Sequence, residues 1–267
     1  MPKALIAGRG GSGKSTVTAL LAHALASKER VVVVDADESN LALGAMLGIE
    51  DPEGSIMDFL GGKQTVREKL RSTMRDSGEK KLPFFDDLLK IDEIPPRFVG
   101  ADENVSWVRI GKVEHSMEGC ACPMGFVARS FLKAIYTNPR EWVLVDTEAG
   151  VEHFGRGVLE GVDIVLVIVE PSREALITAR RARQLAEEAG KKCVAVLNKV
   201  RDEKNILTEQ LREHGIPILG AMPYGNDVAM LNLKGDRLSA EASVFPEVGK
   251  IAEALRKMQL GAWDPVA

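Results

Sequence analysis

Short apolar runs recur along the chain at residues 3 to 8, 31 to 34, 142 to 145, 163 to 169, 193 to 197 and 216 to 220. Each is shorter than a core helix and ends in glycine, charge or turn residues, so each predicts a buried strand. Helical patterns separate most of them. Val17, Leu20, Leu21, Ala24 and Leu25 recur at helix spacing after the first run. A second stripe, Ala175, Leu176, Ala179, Ala182, Leu185 and Ala186, lies opposite Arg180, Arg181 and Arg183, which read as a solvated face. Strands alternating with helices predict an α/β fold, a mostly parallel doubly wound sheet covered on both faces.

The alternation breaks between about residues 50 and 140. Charged helical stretches near 65 to 76, Pro95-Pro96 and the segment around Cys120 predict an insertion at the edge of the sheet. Residues 1–267 therefore read as one domain, with 45% hydrophobic content sufficient for a large core. No internal repeat or low-complexity segment is present, and the residues after Gln259 read as a loosely held tail.

Charge and cysteine content narrow the function classes. Lys and Arg total 35 against 39 Asp and Glu, a net charge of −4, so no global basic field draws the chain to nucleic acid. The N-terminal apolar run is broken by Gly8 and Arg9, and the most apolar stretch, Ile164 to Val169, is too short to span a bilayer. The expectation is a cytoplasmic protein with no membrane partner. Three cysteines, an odd number, do not suit a secreted disulfide framework and point to thiol or metal chemistry.

Residues 8 to 16 spell Gly8-Arg9-Gly10-Gly11-Ser12-Gly13-Lys14-Ser15-Thr16, a complete G-x-x-x-x-G-K-[ST] phosphate loop between a strand and a helical pattern. Backbone N–H groups through Gly10, Gly11, Ser12 and Gly13, aided by the helix dipole, would wrap a phosphate. Lys14 would reach the β- and γ-phosphates and Ser15 would ligate Mg²⁺, with Thr16 completing the nucleotide-binding set.

Two further strands end in acids. Val31 to Val34 runs into Asp35-Ala36-Asp37, so both carboxylates emerge at the C-terminal edge of the sheet, where ligands bind in such folds. One suits the magnesium shell, assigned to Asp35, and the other, Asp37, the attacking water. Trp142 to Val145 ends in Asp146, a second magnesium-shell acid, followed by Thr147-Glu148-Ala149-Gly150, whose glycine can swing toward a γ-phosphate. Asn198-Lys199 stands where a guanine-reading N-K-x-D would begin, but position 201 is Arg201 rather than aspartate. Asn198 alone suits the N6 and N7 edge of adenine, which favours ATP over GTP, and the Met222-Pro223-Tyr224 loop can cover the base.

Cys120-Ala121-Cys122 places two sulfurs on one side of an extended segment. Two thiolates are half a coordination shell. A two-fold dimer with this loop at its interface would supply four, suited to Ni²⁺ or Zn²⁺. Cys193 lies in a strand and reads as a small buried hydrophobe, while His115 and His153 carry no assignment.

The phosphate loop with a basic residue after its first glycine, the Asp35-Ala36-Asp37 pair and the strand ending Asp146-x-x-x-Gly150 resemble the deviant P-loop ATPases that include MinD, ParA and the nitrogenase iron protein. The run from Asp146 to Gly157, with Cys120-x-Cys122-Pro123, Asn198-Lys199-Val200-Arg201 and Pro223-Tyr224, is similar to the CooC-type nickel-insertion ATPases of carbon monoxide dehydrogenase. The similarity covers almost the whole chain. It implies a homodimer, driven by ATP and its conversion to ADP, that carries metal between two C-x-C motifs and helps mature the nickel cluster of its client, carbon monoxide dehydrogenase. It also implies that Lys14 binds phosphate, Asp37 is the switch residue near the attacking water, Asp146 serves magnesium, and Cys120 and Cys122 hold the carried metal. The family's extra loop lysine, which crosses to the partner's phosphates, is replaced by Arg9, whose fork can act as an arginine finger in trans. The alternatives are a MinD- or ParA-like positioning switch and an iron-sulfur redox or carrier ATPase.

Overall fold

The computed structural model describes residues 2–76, 84–85, 87–112, 122–136, 138, 140–152, 154 and 157–263. The N-terminal part runs β1 (Lys3–Gly8), α1 (Lys14–Ala26), β2 (Arg30–Asp35), α2 (Leu43–Leu47), α3 (Ile56–Phe59) and α4 (Gly62–Asp76). Then come β3 (Leu89–Lys90), β4 (Gly100–Asp102), β5 (Val105–Arg109), α5 (Cys122–Ala134), β6 (Ile135–Tyr136) and β7 (Glu141–Asp146). The C-terminal part runs β8 (Ile164–Val169), α6 (Arg173–Glu188), β9 (Lys192–Val200), α7 (Lys204–Glu213), β10 (Ile218–Pro223), α8 (Asn226–Lys234) and α9 (Phe245–Gln259).

The main sheet has the order β10-β9-β8-β1-β7-β2-β5-β4, parallel throughout except for the β4–β5 pair. β3 and β6 pair separately. Period-two alternation divides the strand residues between two apolar layers. Leu5, Ala7, Val32 and Val34 face a core closed by α5, α6 and α7, while Ala4, Ile6, Val31 and Val33 face one closed by α1, α2 and α9. Both faces are therefore covered, as a parallel sheet requires.

Local chemistry sets the helix boundaries. The Ser172 side chain accepts from Ala175 N at 3.1 Å to cap α6, and a Ser55–Asp58 capping box starts α3. α9 begins with proline in its first turn and buries Val248, Ile251, Ala252, Leu255 and Met258. Its apolar stripe is thus covered within the fold. Trp263, in the stretch expected to be loosely held, is half-buried against the same layer.

The 50–140 stretch contributes to the main sheet. β5 pairs in parallel with β2, Val31 opposite Val105 and Asp35 opposite Arg109, and β4 adds an antiparallel edge. The chain from β1 crosses to β2, leaving β7 to fill the gap between them, so β1 stands at the point where connections run off to both sides. Asp35 and Asp146 are register partners on β2 and β7, which sets the two acids side by side at the C-terminal edge. Among the described residues no helix is long and apolar enough to cross a membrane.

Candidate nucleotide-binding site

The loop between β1 and α1 is held by hydrogen bonds from both flanks. Ser12 N donates to Arg9 O at 3.2 Å, and Gly13 caps α1 in the left-handed region at φ 93°. A Cβ on Gly13 would sit 2.3 Å from Asn198 Nδ2, so only glycine fits. From the end of β9, Asn198 Nδ2 donates to Ser12 O at 2.7 Å and Lys199 Nζ to Gly11 O at 2.6 Å. The loop lines a cavity of about 590 Å³, whose walls include Lys14, Ser15, Thr16, Asp37, Asn198 and Pro223. Lys14 is nearly buried, its Nζ 3.5 Å from Arg9 O. The α1 N-terminus, the loop N–H groups and this ammonium form an anion cradle.

Beneath the loop the acids of β2 and β7 have separate partners. Asp146 is fully buried; its Oδ2 accepts from Ser15 Oγ at 2.6 Å and its Oδ1 from Thr18 Oγ1 at 3.2 Å. Asn40 Nδ2 donates both to Ser15 Oγ at 2.9 Å and to Asp146 Oδ2 at 3.1 Å. Burial pushes the Asp146 carboxyl above the usual range, against the Ser15 hydrogen bond and the Lys14 charge. Hydroxyl and carboxylate oxygens meeting around one donor are the hard-oxygen set that magnesium prefers, so Ser15 and Asp146 fit that ion.

Asp35, expected in the magnesium shell, instead presents Oδ2 to the Lys112 ammonium at 2.6 Å. Burial pushes its carboxyl up to about 7, with Lys112 pulling the other way. Asp37 borders the cavity, and its Oδ1 accepts from Ser39 N at 2.9 Å and Ser39 Oγ at 2.6 Å. Gly150, in the left-handed region at φ 88°, donates its N–H to Gly8 O at 3.0 Å and so ties the segment after β7 to the start of the loop.

In the cavity wall, Pro223 ends β10 and Tyr224 follows it. Arg201, standing where a guanine-reading carboxylate would be, lies over the Tyr224 ring at 4.9 Å from the centroid. Asn232 Nδ2 reaches Thr16 Oγ1 at 3.3 Å while its Oδ1 is buried with no hydrogen-bond partner among the described residues. That leaves an acceptor in the wall for a ligand N–H or O–H. Arg9 points to Glu170 of its own chain, Nη1 to Oε1 at 2.5 Å.

The sequence names the loop, Asp37, Asp146, Asn198 and Pro223; the structure sets the loop, Asp37, Asn198 and Pro223 around one cavity and Asp146 beneath it, bonded to Ser15. Sequence reasoning missed Asn40, Lys112, Glu170 and Asn232. Asn40 was discoverable as an amide in the turn that Asp37 opens, and Lys112 as the cation beyond an unrecognised strand. Cys120, His115, His153 and the side chain of Cys122 lie outside the described residues; the backbone of Cys122 opens α5. Among the described residues no group of three or more His, Cys, Asp or Glu side chains could hold a metal ion. Cys193 is buried in the core, and that burial pushes its thiol up to about 12.

The family model "CobQ/CobB/MinD/ParA nucleotide binding domain" matches residues 3–238. An uncharacterized ATP-binding protein of Methanocaldococcus jannaschii is 38% identical over 251 residues, 93% of this chain and 98% of that relative. The carbon monoxide dehydrogenase accessory protein CooC of Rhodospirillum rubrum is 31% identical, covering 87% of this chain and 88% of its own. Among solved structures, the septum site-determining protein MinD of Pyrococcus horikoshii, complexed with Mg-ADP, shares the fold with a TM-score of 0.69 at 20% identity, over 97% of each chain. With its phosphate loop, paired acids and parallel sheet, this chain belongs to the CobQ/CobB/MinD/ParA nucleotide-binding family and is an ATPase of the MinD/ParA-like class.

Proposed function

We propose that this ATPase is a homodimeric metallochaperone that carries Ni²⁺ or Zn²⁺ as cargo between paired C-x-C motifs and assists nickel insertion into carbon monoxide dehydrogenase. The observation that carries this reading is the 31% identity to the CooC of Rhodospirillum rubrum over 87% of a chain that also has the Cys120-Ala121-Cys122 motif. A second observation supports coupling between nucleotide and metal. Met124 and Gly125, in the first turn of α5, line one small cavity together with Ala36 and Glu38 after β2 and Thr147 and Glu148 after β7. The helix that begins at Cys122 therefore shares a cavity wall with both segments that follow the acid-bearing strands β2 and β7.

In the hydrolytic step Lys14 and the loop N–H groups hold the β- and γ-phosphates of ATP. Ser15 and Asp146 would hold Mg²⁺, which would supply positive charge to the phosphates during transfer. Asp37, fixed by the Ser39 hydrogen bonds, orients the attacking water, and Arg9 reaches the phosphates of the partner subunit. Asn198 and Pro223 border the base.

The positioning-switch alternative is less well supported. It needs a membrane or DNA anchor, and the amphipathic C-terminal stretch is already covered, since α9 packs its apolar side on α1 and β10. The test is client activation. Nickel-loaded wild-type protein with ATP should activate nickel-free carbon monoxide dehydrogenase, and the Cys120→Ser protein should not; equal activation by both would remove the metallochaperone assignment.

A further inference from the structure

The Lys112 side chain is almost wholly buried, only 7% exposed, yet Lys112 does not border the nucleotide cavity. Its ammonium has three hydrogens to donate and meets three acceptors. One is Asp35 Oδ2 at 2.6 Å, one is the main-chain carbonyl of Asp37 at 2.6 Å, and the third is the main-chain carbonyl of Asn40. Asn40 N closes the same turn onto Asp37 O at 3.3 Å. Lys112 thus grips both ends of the short turn from Asp37 to Asn40.

That turn carries the groups nearest the chemistry at this edge of the sheet. Asp37 borders the cavity, and Asn40 reaches Ser15 Oγ and Asp146 Oδ2. Without a cation, two carbonyl oxygens and a buried carboxylate would face one another with no donor between them, and the turn would have to move. Asp35 is fully buried and its other oxygen accepts from Asp37 N at 3.1 Å, so the carboxylate anchors the lysine on the rigid end of β2.

We propose that Lys112 is a positioning residue for ATP hydrolysis: it holds the Asp37–Asn40 turn so that Asp37 and Asn40 stand in register with Ser15 and Asp146. The role is positional because the ammonium touches the turn and not the cavity. It rests on ATP hydrolysis alone and is independent of the cysteines.

The test compares full-length wild-type protein with Lys112→Met, Lys112→Arg and the double variant Asp35→Asn/Lys112→Met, by steady-state ATP hydrolysis, ADP affinity and thermal unfolding. Lys112→Met should lose about 10²-fold in kcat, the size expected when catalytic groups shift by about an ångström, while ADP affinity changes by less than about threefold. Lys112→Arg should recover part of kcat, because it keeps a charged donor but not the three-point geometry. The double variant leaves no unpaired buried charge, so it should recover thermal stability without recovering kcat, since both carbonyl contacts are still missing. That variant also keeps the test open where Lys112→Met folds poorly. A kcat that returns together with stability in the double variant would reduce Lys112 to a counter-charge and overturn the proposal. Unchanged kcat in a folded Lys112→Met protein, or an equal loss of ADP affinity, would overturn it as well.

Discussion

Arg9 and Glu170 form an ion pair within one chain, Nη1 to Oε1 at 2.5 Å, with side chains 44% and 13% exposed. Lys199 Nζ lies 3.9 Å from the other carboxylate oxygen, so Glu170 keeps a cation nearby if Arg9 leaves. An ion pair this open is worth about 0–1 kcal/mol, which makes exchange for a phosphate partner easy. If Arg9 acts in trans, Glu170→Gln should tighten the ATP-dependent dimer by up to about fivefold, the equivalent of that energy. Arg9→Ala should weaken the dimer and hydrolysis while sparing nucleotide binding by the monomer. Sedimentation with and without ATP reads the first effect and ADP titration the second; equal loss of monomer affinity would place Arg9 in its own site.

Lys14 supplies the charge inside the loop, whereas the loop shape comes from the glycines and from the Asn198 and Lys199 hydrogen bonds. Lys14→Ala should therefore leave the thermal unfolding profile close to wild type and lower ATP turnover by about 10²-fold or more. Substantial turnover in the steady-state assay would contradict the role given to Lys14.

Asp37→Asn keeps the side-chain shape and its acceptor for Ser39 N. ATP should still bind and dimerise the protein, with hydrolysis reduced by about 10²-fold or more through loss of the charge that orients water. Single-turnover measurement of bound ATP checks this, and near-normal turnover would move the function to another group.

Asp35 makes stability depend on pH. Its carboxyl sits at about 7 in the folded chain because of burial, against roughly 3.9 when unfolded. Between those values the folded chain holds one more proton than the unfolded chain, so this group makes stability fall as pH rises, by up to about 1.4 kcal/mol per pH unit. Asp35→Asn removes that contribution. Between about pH 5 and 6 the slope of unfolding free energy against pH should be more positive in the variant, measured without nucleotide in the presence of chelator. Parallel slopes would contradict the assignment.

The strands and the phosphate loop were legible in the sequence because apolar runs and glycine spacing are local signals. Val105 to Arg109 escaped notice because the strand is short, interrupted by Ser106 and embedded in a charged stretch; its membership in the sheet comes from pairing with β2. Missing it hid Lys112, whose meaning depends on a contact with Asp35 across 77 positions of chain. Asp35 and Asp146 were both recognisable as strand-end acids, but only packing shows that one faces Ser15 and the other a lysine. Asn198 reads as a base-pairing amide in sequence, and only the fold shows that its amide nitrogen also braces the loop through Ser12.

Metal titration combined with mass in solution tests whether one metal is shared between two chains. A dimer should bind one Ni²⁺ or Zn²⁺, with metal and ATP each raising the other's affinity because both favour the associated state. Cys120→Ser or Cys122→Ser should abolish tight metal binding, while Cys193→Ser, at a buried position, should leave it intact. One metal per monomer with no change in mass, or full affinity in the Cys120→Ser protein, would contradict the shared site.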